Sequence, residues 1–360
     1  MRRFGEWAEY WDVASQHIFY FNTVTQERAW DPPTTFTVGA GDVLESDEDI
    51  AFRQLRFGLL FAARDVTVEP GSVSVGIRRD HIVEDSFDAL RRLAGPQLQR
   101  TLEVKFTGEA GVDGGGLTKD WCLSFSRALL DDKLRLFRAA GDGRVDVHPG
   151  ACTPTGVELM RLVGRFLGKA VFDRQLVELH LCTPLCVHLV GKQPTLEDLT
   201  DADPELCNGL QWVLNNDITD VIDATFSVVR QDGSDTAGVE EVELIPDGAN
   251  VEVTEANKRE YVARMVAWRG GEEAKDAIGA LVAGFHEVLP ASHLKAFSPD
   301  HLRSLLTGRV TVDVFAMAAT SMYTDGMAVD TPVAMWFWEV LGEADTAARQ
   351  RVLKVCACVV

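Results

Sequence analysis

Hydrophobic and polar positions change period several times along the chain, and each change marks an element. Residues 17–23 alternate around Phe19-Tyr20-Phe21-Asn22, so a strand there puts Phe19 and Phe21 on one face and Tyr20 and Asn22 on the other. Asn22-Thr23-Val24-Thr25 supplies turn residues, a last short strand ends at Trp30, and Pro32 and Pro33 close the segment. Residues 102–106, Leu-Glu-Val-Lys-Phe, alternate as a half-buried strand, and 239–245 and 310–314 do the same. Leu117, Trp121, Phe125 and Leu129 recur every fourth residue, which predicts a helix with one apolar stripe. From 159 to 171 apolar residues fall on nearly all sides, the pattern of a buried helix. Ser298-Pro299-Asp300 reads as a capped helix start with Gly308 as its stop. Thr331-Pro332 starts another helix, with Val333, Trp336, Phe337, Val340 and Leu341 on one face and Gly342 as its stop. The whole is mixed α+β.

Composition divides this pattern into parts. Residues 5–33 hold Trp7, Tyr10, Trp11, Phe19, Tyr20, Phe21 and Trp30, a density of rings in a unit too short for an ordinary core. Residues 36–50 turn to Thr, Gly and acid, with Asp42, Glu45, Asp47, Glu48 and Asp49 close together, which reads as a solvated acidic linker. The remainder of the 360 residues is long enough for a sizeable core. A net charge of −20 repels phosphate backbones and anionic headgroups, so neither nucleic acid nor membrane insertion is expected. Seven cysteines, at 122, 152, 182, 186, 207, 356 and 358, are an odd number thinly spread, which points to a reducing compartment. Met1-Arg2-Arg3-Phe4-Gly5-Glu6 lacks the apolar run of a signal peptide, and the expected location is the cytoplasm, with the nucleus also open to it.

Two stretches invite a chemical reading. The glycines of 108–117 suggest a phosphate cradle, but no Gly-Lys-Ser/Thr follows and the spacing is not that of a dinucleotide fingerprint. A tight turn into the helix at Leu117 explains them. His180, Cys182, Cys186 and His188 resemble a zinc cluster until geometry is applied. On a helix the two cysteines share a face from which both histidines point away, and along one strand the four cannot close a tetrahedron. No Gly-x-Ser-x-Gly elbow or His-Glu-x-x-His is present.

The order of local patterns is more specific than any of these. A Trp near each end, an aromatic triplet followed by Asn and a closing Pro make the N-terminal segment resemble the WW domain, a three-stranded antiparallel sheet that binds proline-rich peptides. The resemblance implies that Trp7, Tyr20, Asn22 and Pro33 form the structural face and that Phe19, Phe21 and Trp30 form the peptide-binding groove. A polyproline II ligand is already extended, so it docks between rings at small entropic cost. Thr23 stands where many WW domains carry His.

Farther on, Ile82-Val83-Glu84-Asp85-Ser86-Phe87 is followed by Val104-Lys105-Phe106-Thr107-Gly108-Glu109-Ala110-Gly111-Val112-Asp113-Gly114-Gly115-Gly116-Leu117-Thr118-Lys119-Asp120-Trp121. Phe166-Leu167-Gly168-Lys169, Trp212 with Asn216-Asp217, Asn257-Lys258-Arg259-Glu260-Tyr261, Gly284-Phe285-His286-Glu287 and Trp336-Phe337-Trp338 complete the series. This ordered set resembles the HECT domain of ubiquitin ligases, with Asp120 where the family commonly has Glu. The expected organisation is a WW domain at 1–35, an acidic linker at 36–50, a HECT N-lobe at 51–325, and a hinge with a partial C-lobe at 326–360. The resemblance implies a ligase that needs no cofactor and no metal. Its partners would be a ubiquitin-conjugating enzyme, ubiquitin itself and proline-rich protein substrates. Ubiquitin would pass through a cysteine thioester to a substrate lysine, work suited to a thiolate. The family's active-site loop follows the Trp-rich helix by some tens of residues, so its cysteine is expected beyond Val360 and no catalytic residue is assigned. Cys356 and Cys358 have only Lys354 nearby and no positioned base. An alternative reading is a non-catalytic adapter that holds a conjugating enzyme and a proline-rich partner.

Overall fold

The structure is a computed structural model. It describes residues 3–4, 7–12, 17–22, 25 and 28–29, most of 72–308 (not 94, 110–114, 231–239, 295 or 296), and shorter stretches between 314 and 352. The chain divides into two compact units, 1–56 and 57–360.

The first unit is an antiparallel sheet of β1 (Arg3–Phe4), β2 (Trp7–Asp12), β3 (His17–Asn22) and β4 (Arg28–Ala29), in that spatial order. The three expected strands are therefore joined by a fourth, β1, whose Phe4 pairs with Trp7.

In the second unit β5 (Ser72–Ile77) runs parallel to β6 (Thr101–Phe106), and the crossover between them carries α1 (Ile82–Arg92). The expected helix at Leu117 is α2 (Gly116–Ala128). Trp121, Phe125 and Leu129 of its stripe are buried, while Leu117 at the first turn is half-buried. β7 (Phe137–Ala139) and β8 (Val145–Val147) form a hairpin, and α3 (Pro154–Phe172) is the buried helix expected at 159–171. α4 (Thr183–Leu189) follows, then α5 (Pro204–Asn215), an antiparallel pair β9 (Ser227–Arg230) and β10 (Glu240–Glu243), α6 (Lys258–Gly270) and α7 (Lys275–Val288).

Two features hold the larger core together. Trp121 and Phe125 stack at 5.9 Å, Phe166 meets both edge-on at 5.4 and 4.8 Å, and Phe87 meets Phe125 at 5.4 Å, geometries that aromatic quadrupoles favour. The Trp121 indole N–H donates to Ser86 Oγ at 2.8 Å, which satisfies two polar groups inside this cluster. The second feature is the close crossing of α3 on α7. A Cβ on Gly164 would lie 2.0 Å from the Leu281 carbonyl oxygen, and one on Gly284 would lie 1.9 Å from that of Arg161. Glycine is the residue that permits this approach. Lys169 of α3, almost wholly buried, reaches the Arg100 carbonyl and Asp173 Oδ1, the latter at 2.8 Å.

The C-terminal elements follow the sequence less closely. α8 (Pro299–Thr307) starts at Ser298 with a full capping box, its hydroxyl accepting from His301 N–H, and stops at Gly308, whose φ of +80° few other residues adopt. Val314, expected in a strand, is helical and buried. Apolar residues at 314, 317 and 318 follow helical spacing, and the rest of the expected strand, 310–313, lies outside the described residues. α9 (Pro332–Glu343) runs through Gly342 to a cap at Ala344, so Gly342 is not its stop. Its buried side is Ala334 and Leu341, whereas Val333, Trp336, Phe337 and Val340 of the expected face are exposed. The segment 353–360, with Cys356 and Cys358, lies outside the described residues.

Candidate functional site

A second hydrophobic core lies between Leu196 and Val266, built on Leu210, Val213, Ile218, Phe226, Val253, Val262 and Met265. It defines an outer subdomain, residues 204–268, carried by α5, the β9–β10 pair and α6. α5 begins at Pro204 after Asp203, whose carboxylate accepts from Leu206 N–H at 3.1 Å, so the N-cap is built from the local sequence. Phe226 and Tyr261 meet edge-on at 5.5 Å in the core. Burial raises the Tyr261 pKa, so its phenol stays neutral.

Sequence patterns read far apart meet here. The Lys258 ammonium donates to the Asn216 carbonyl at 2.7 Å and pairs with Glu255 at 2.6 Å. Asn257 accepts from Thr254 N–H at 2.7 Å and donates to the Glu252 carbonyl at 2.9 Å, fixing the turn into α6. Asp217 accepts from Thr219 N–H and Oγ1–H, contacts that hold its carboxyl below the usual range.

The outer surface of this subdomain is apolar in places and acidic overall. Trp212 on α5 is 44% exposed, and Val221 and Val229 are more so. Thirteen acidic side chains against four basic ones lie between 204 and 268.

The described thiols do different work. Cys122, Cys182, Cys186 and Cys207 are buried. Burial raises the Cys122 and Cys182 pKa values and pushes Cys186 up to about 11, so these thiols stay protonated and cannot act as ready nucleophiles. Cys182 caps α4 and Cys186 lies within it; His188 Nε2–H donates to the Gly270 carbonyl at 2.7 Å, and His180 is exposed. In the glycine-rich stretch, Gly108 and Gly115 have φ of +90° and +99°, and Gly115 is the N-cap of α2, in keeping with a turn.

For the peptide groove the backbone register gives positions. Trp7 pairs with Asn22 and Glu9 with Tyr20, so Trp7, Tyr20 and Asn22 belong to one period-2 set of the sheet. Phe19 and Phe21, paired with Tyr10 and Ala8, belong to the other. Trp30 and Pro33 lie outside the described residues. The exposure of Trp212 and the link that Lys258 makes between two motifs are set by tertiary packing, and no local pattern fixes either. The i+4 position of Trp212 from Asn208, against the buried Leu210 and Val213, is the partial signal available.

A small antiparallel sheet precedes, in the sequence, an α+β body of the ubiquitin-transferase class. The HECT-domain (ubiquitin-transferase) family model matches residues 123–359 and the WW domain model matches 4–33. The chain belongs to the HECT family of E3 ubiquitin ligases. The E3 ubiquitin-protein ligase pub3 of Schizosaccharomyces pombe is 31% identical over 343 residues, covering 94% of this chain and 43% of the relative. The E3 ubiquitin-protein ligase UPL1 of Arabidopsis thaliana is 32% identical over 277 residues, 75% of this chain and 8% of that protein. HUWE1 of Mus musculus, also an E3 ubiquitin-protein ligase, is 32% identical over 287 residues, 78% and 6% respectively. The chain thus spans less than half the length of these curated relatives.

Proposed function

We propose that this chain performs the docking and recruitment steps of HECT-type ubiquitin ligation. The outer subdomain receives a ubiquitin-conjugating enzyme charged with ubiquitin, and the WW domain recruits proline-rich substrates in the groove of Phe19, Phe21 and Trp30. Ubiquitin then passes through a cysteine thioester to a substrate lysine. Cys122, Cys182 and Cys186, buried and protonated, are not suited to that thioester. The cytoplasm is the setting in which these partners meet.

The observation that carries the reading is the outer subdomain itself. Within the HECT match it keeps a core of its own and turns Trp212 and an acidic surface to solvent. Calorimetric titration of the full chain with a panel of conjugating enzymes tests it. At least one is expected to bind, and Trp212→Ala combined with Val221→Ser is expected to weaken that binding by about tenfold, the effect of losing a large apolar anchor. Absence of binding across the panel, or equal affinity in the double variant, would falsify the docking assignment.

A further inference from the structure

The chain enters and leaves the outer subdomain at two neighbouring places, and both crossings are gripped by charged groups that are partly buried or, for Asp146, buried. On the way out, Asp201 accepts from Thr183 N–H at 3.0 Å and Thr183 Oγ1–H at 2.6 Å, and pairs with Arg144 and with Arg303 at 3.4 Å. On the way back, Arg269 near the end of α6 reaches three acceptors. They are Asp146 Oδ2 on β8 at 2.5 Å, Asp203 Oδ2 at the N-cap of α5 at 3.2 Å, and the Ala202 carbonyl at 3.2 Å. Asp146 is only 6% exposed, and it also accepts from Arg138, which in turn holds Glu273 just past α6.

One guanidinium therefore ties the entering strand of chain, the leaving helix and the larger body at a single point. We propose that Arg269 is a positioning residue that fixes the angle at which the outer subdomain stands on the body. Three arguments support this. Each side of the junction has its own hydrophobic core, so neither needs Arg269 in order to exist. A planar fork with several donors can bind two carboxylates and a carbonyl together, which no other side chain does. Burial works against the charge of Arg138 and Arg269, yet the facing Asp146 and Glu273 outweigh it and raise both pKa values, so the network remains charged. Removing the cation would leave Asp146 held by Arg138 alone and Asp203 and the Ala202 carbonyl untied from the body, so the angle would be free to widen.

The consequence for a docked conjugating enzyme rests on the functional reading above; the angle itself does not. Spin labels introduced by non-natural amino acids at the exposed Thr155 on α3 and Arg259 on α6, in the full chain, report it by pulsed electron resonance. The parent protein is expected to give one narrow distance distribution, and Arg269→Met one that is about twofold broader or shifted, with helical circular dichroism retained. Arg165→Met, which breaks the partly buried pair with Glu287 inside the body (2.6 Å), is expected to lower stability without changing that distribution. If Arg269→Met does not fold, Asp203→Asn takes its place in the same measurement. An unchanged distance in the folded variant, an equal change in Arg165→Met, or failure of both junction variants to fold would overturn the proposal. Loss of enzyme binding with an unchanged distance would count against the docking assignment alone.

Discussion

Gly284 has no room for a side chain, because an added Cβ would stand 1.9 Å from the Arg161 carbonyl oxygen on the facing helix. The backbone of α3 would have to move, so Gly284→Ala is expected to destabilise by about 3 kcal/mol in a denaturant titration. An unaltered midpoint would mean that the crossing is looser than drawn. Burial acts on the thiols in a way that can be read chemically. Cys122, Cys182 and Cys186 should resist alkylation at mildly alkaline pH while the half-buried Cys152 reacts, as peptide mass mapping would show. The Cys186 pKa is raised from an ordinary 9.0 to about 11 in the fold, so its contribution to stability is full below pH 9 and is lost as pH rises toward 11. A stability curve that is flat across that window would contradict the raised value. These residue-level facts were only partly legible in the sequence. The cysteines' spacing argued against a metal cluster, but which thiols are buried depends on the helices packed around them. Ser86 and Trp121 stood in separate motifs, and nothing in either predicted their hydrogen bond.

Elements were legible where local chemistry alone sets them. Ser298, Pro299 and Gly308 define α8 because a cap, a fixed φ and a left-handed stop act within a few residues. Ser298→Ala removes the side-chain half of that capping box and is expected to cost about 1 kcal/mol, with Ser298→Asp recovering most of it, both read by thermal unfolding. Equal stability of all three proteins would show that the cap is dispensable. Elements were misread where a longer context decides. A five-residue alternation suggests a strand at 310–314, whereas Val314, the one described residue of it, is helical and the apolar positions at 317 and 318 continue at helical spacing. α9 shows the complementary case. The periodicity correctly grouped Val333, Trp336, Phe337 and Val340, but periodicity identifies a face without saying what it packs against. In the structure Ala334 and Leu341 supply the buried side.

Charge is distributed unevenly along the chain, and this separates the two recruiting surfaces proposed above. Residues 204–268 carry thirteen acids and four bases, a large share of a net charge of −20, and exposed acids among them such as Glu205, Asp217 and Asp220 are open to screening by salt. A conjugating enzyme that docks on it is expected to present a basic face and to associate more slowly as ionic strength rises, with a smaller effect on dissociation. The proposed WW groove would work by other means. Neutral rings at Phe19, Phe21 and Trp30 would stack on a preformed polyproline helix, so that binding should change little with salt. Two titrations of the same chain at low and moderate ionic strength distinguish these modes. Association with the enzyme should fall by about tenfold, while affinity for a proline-rich peptide should hold within about twofold. Trp30→Ala should abolish peptide binding and leave enzyme binding as it was. Enzyme association indifferent to salt would show that the apolar positions, Trp212 among them, carry recognition without electrostatic steering. A Trp30→Ala variant that still bound the peptide would remove the groove from the picture.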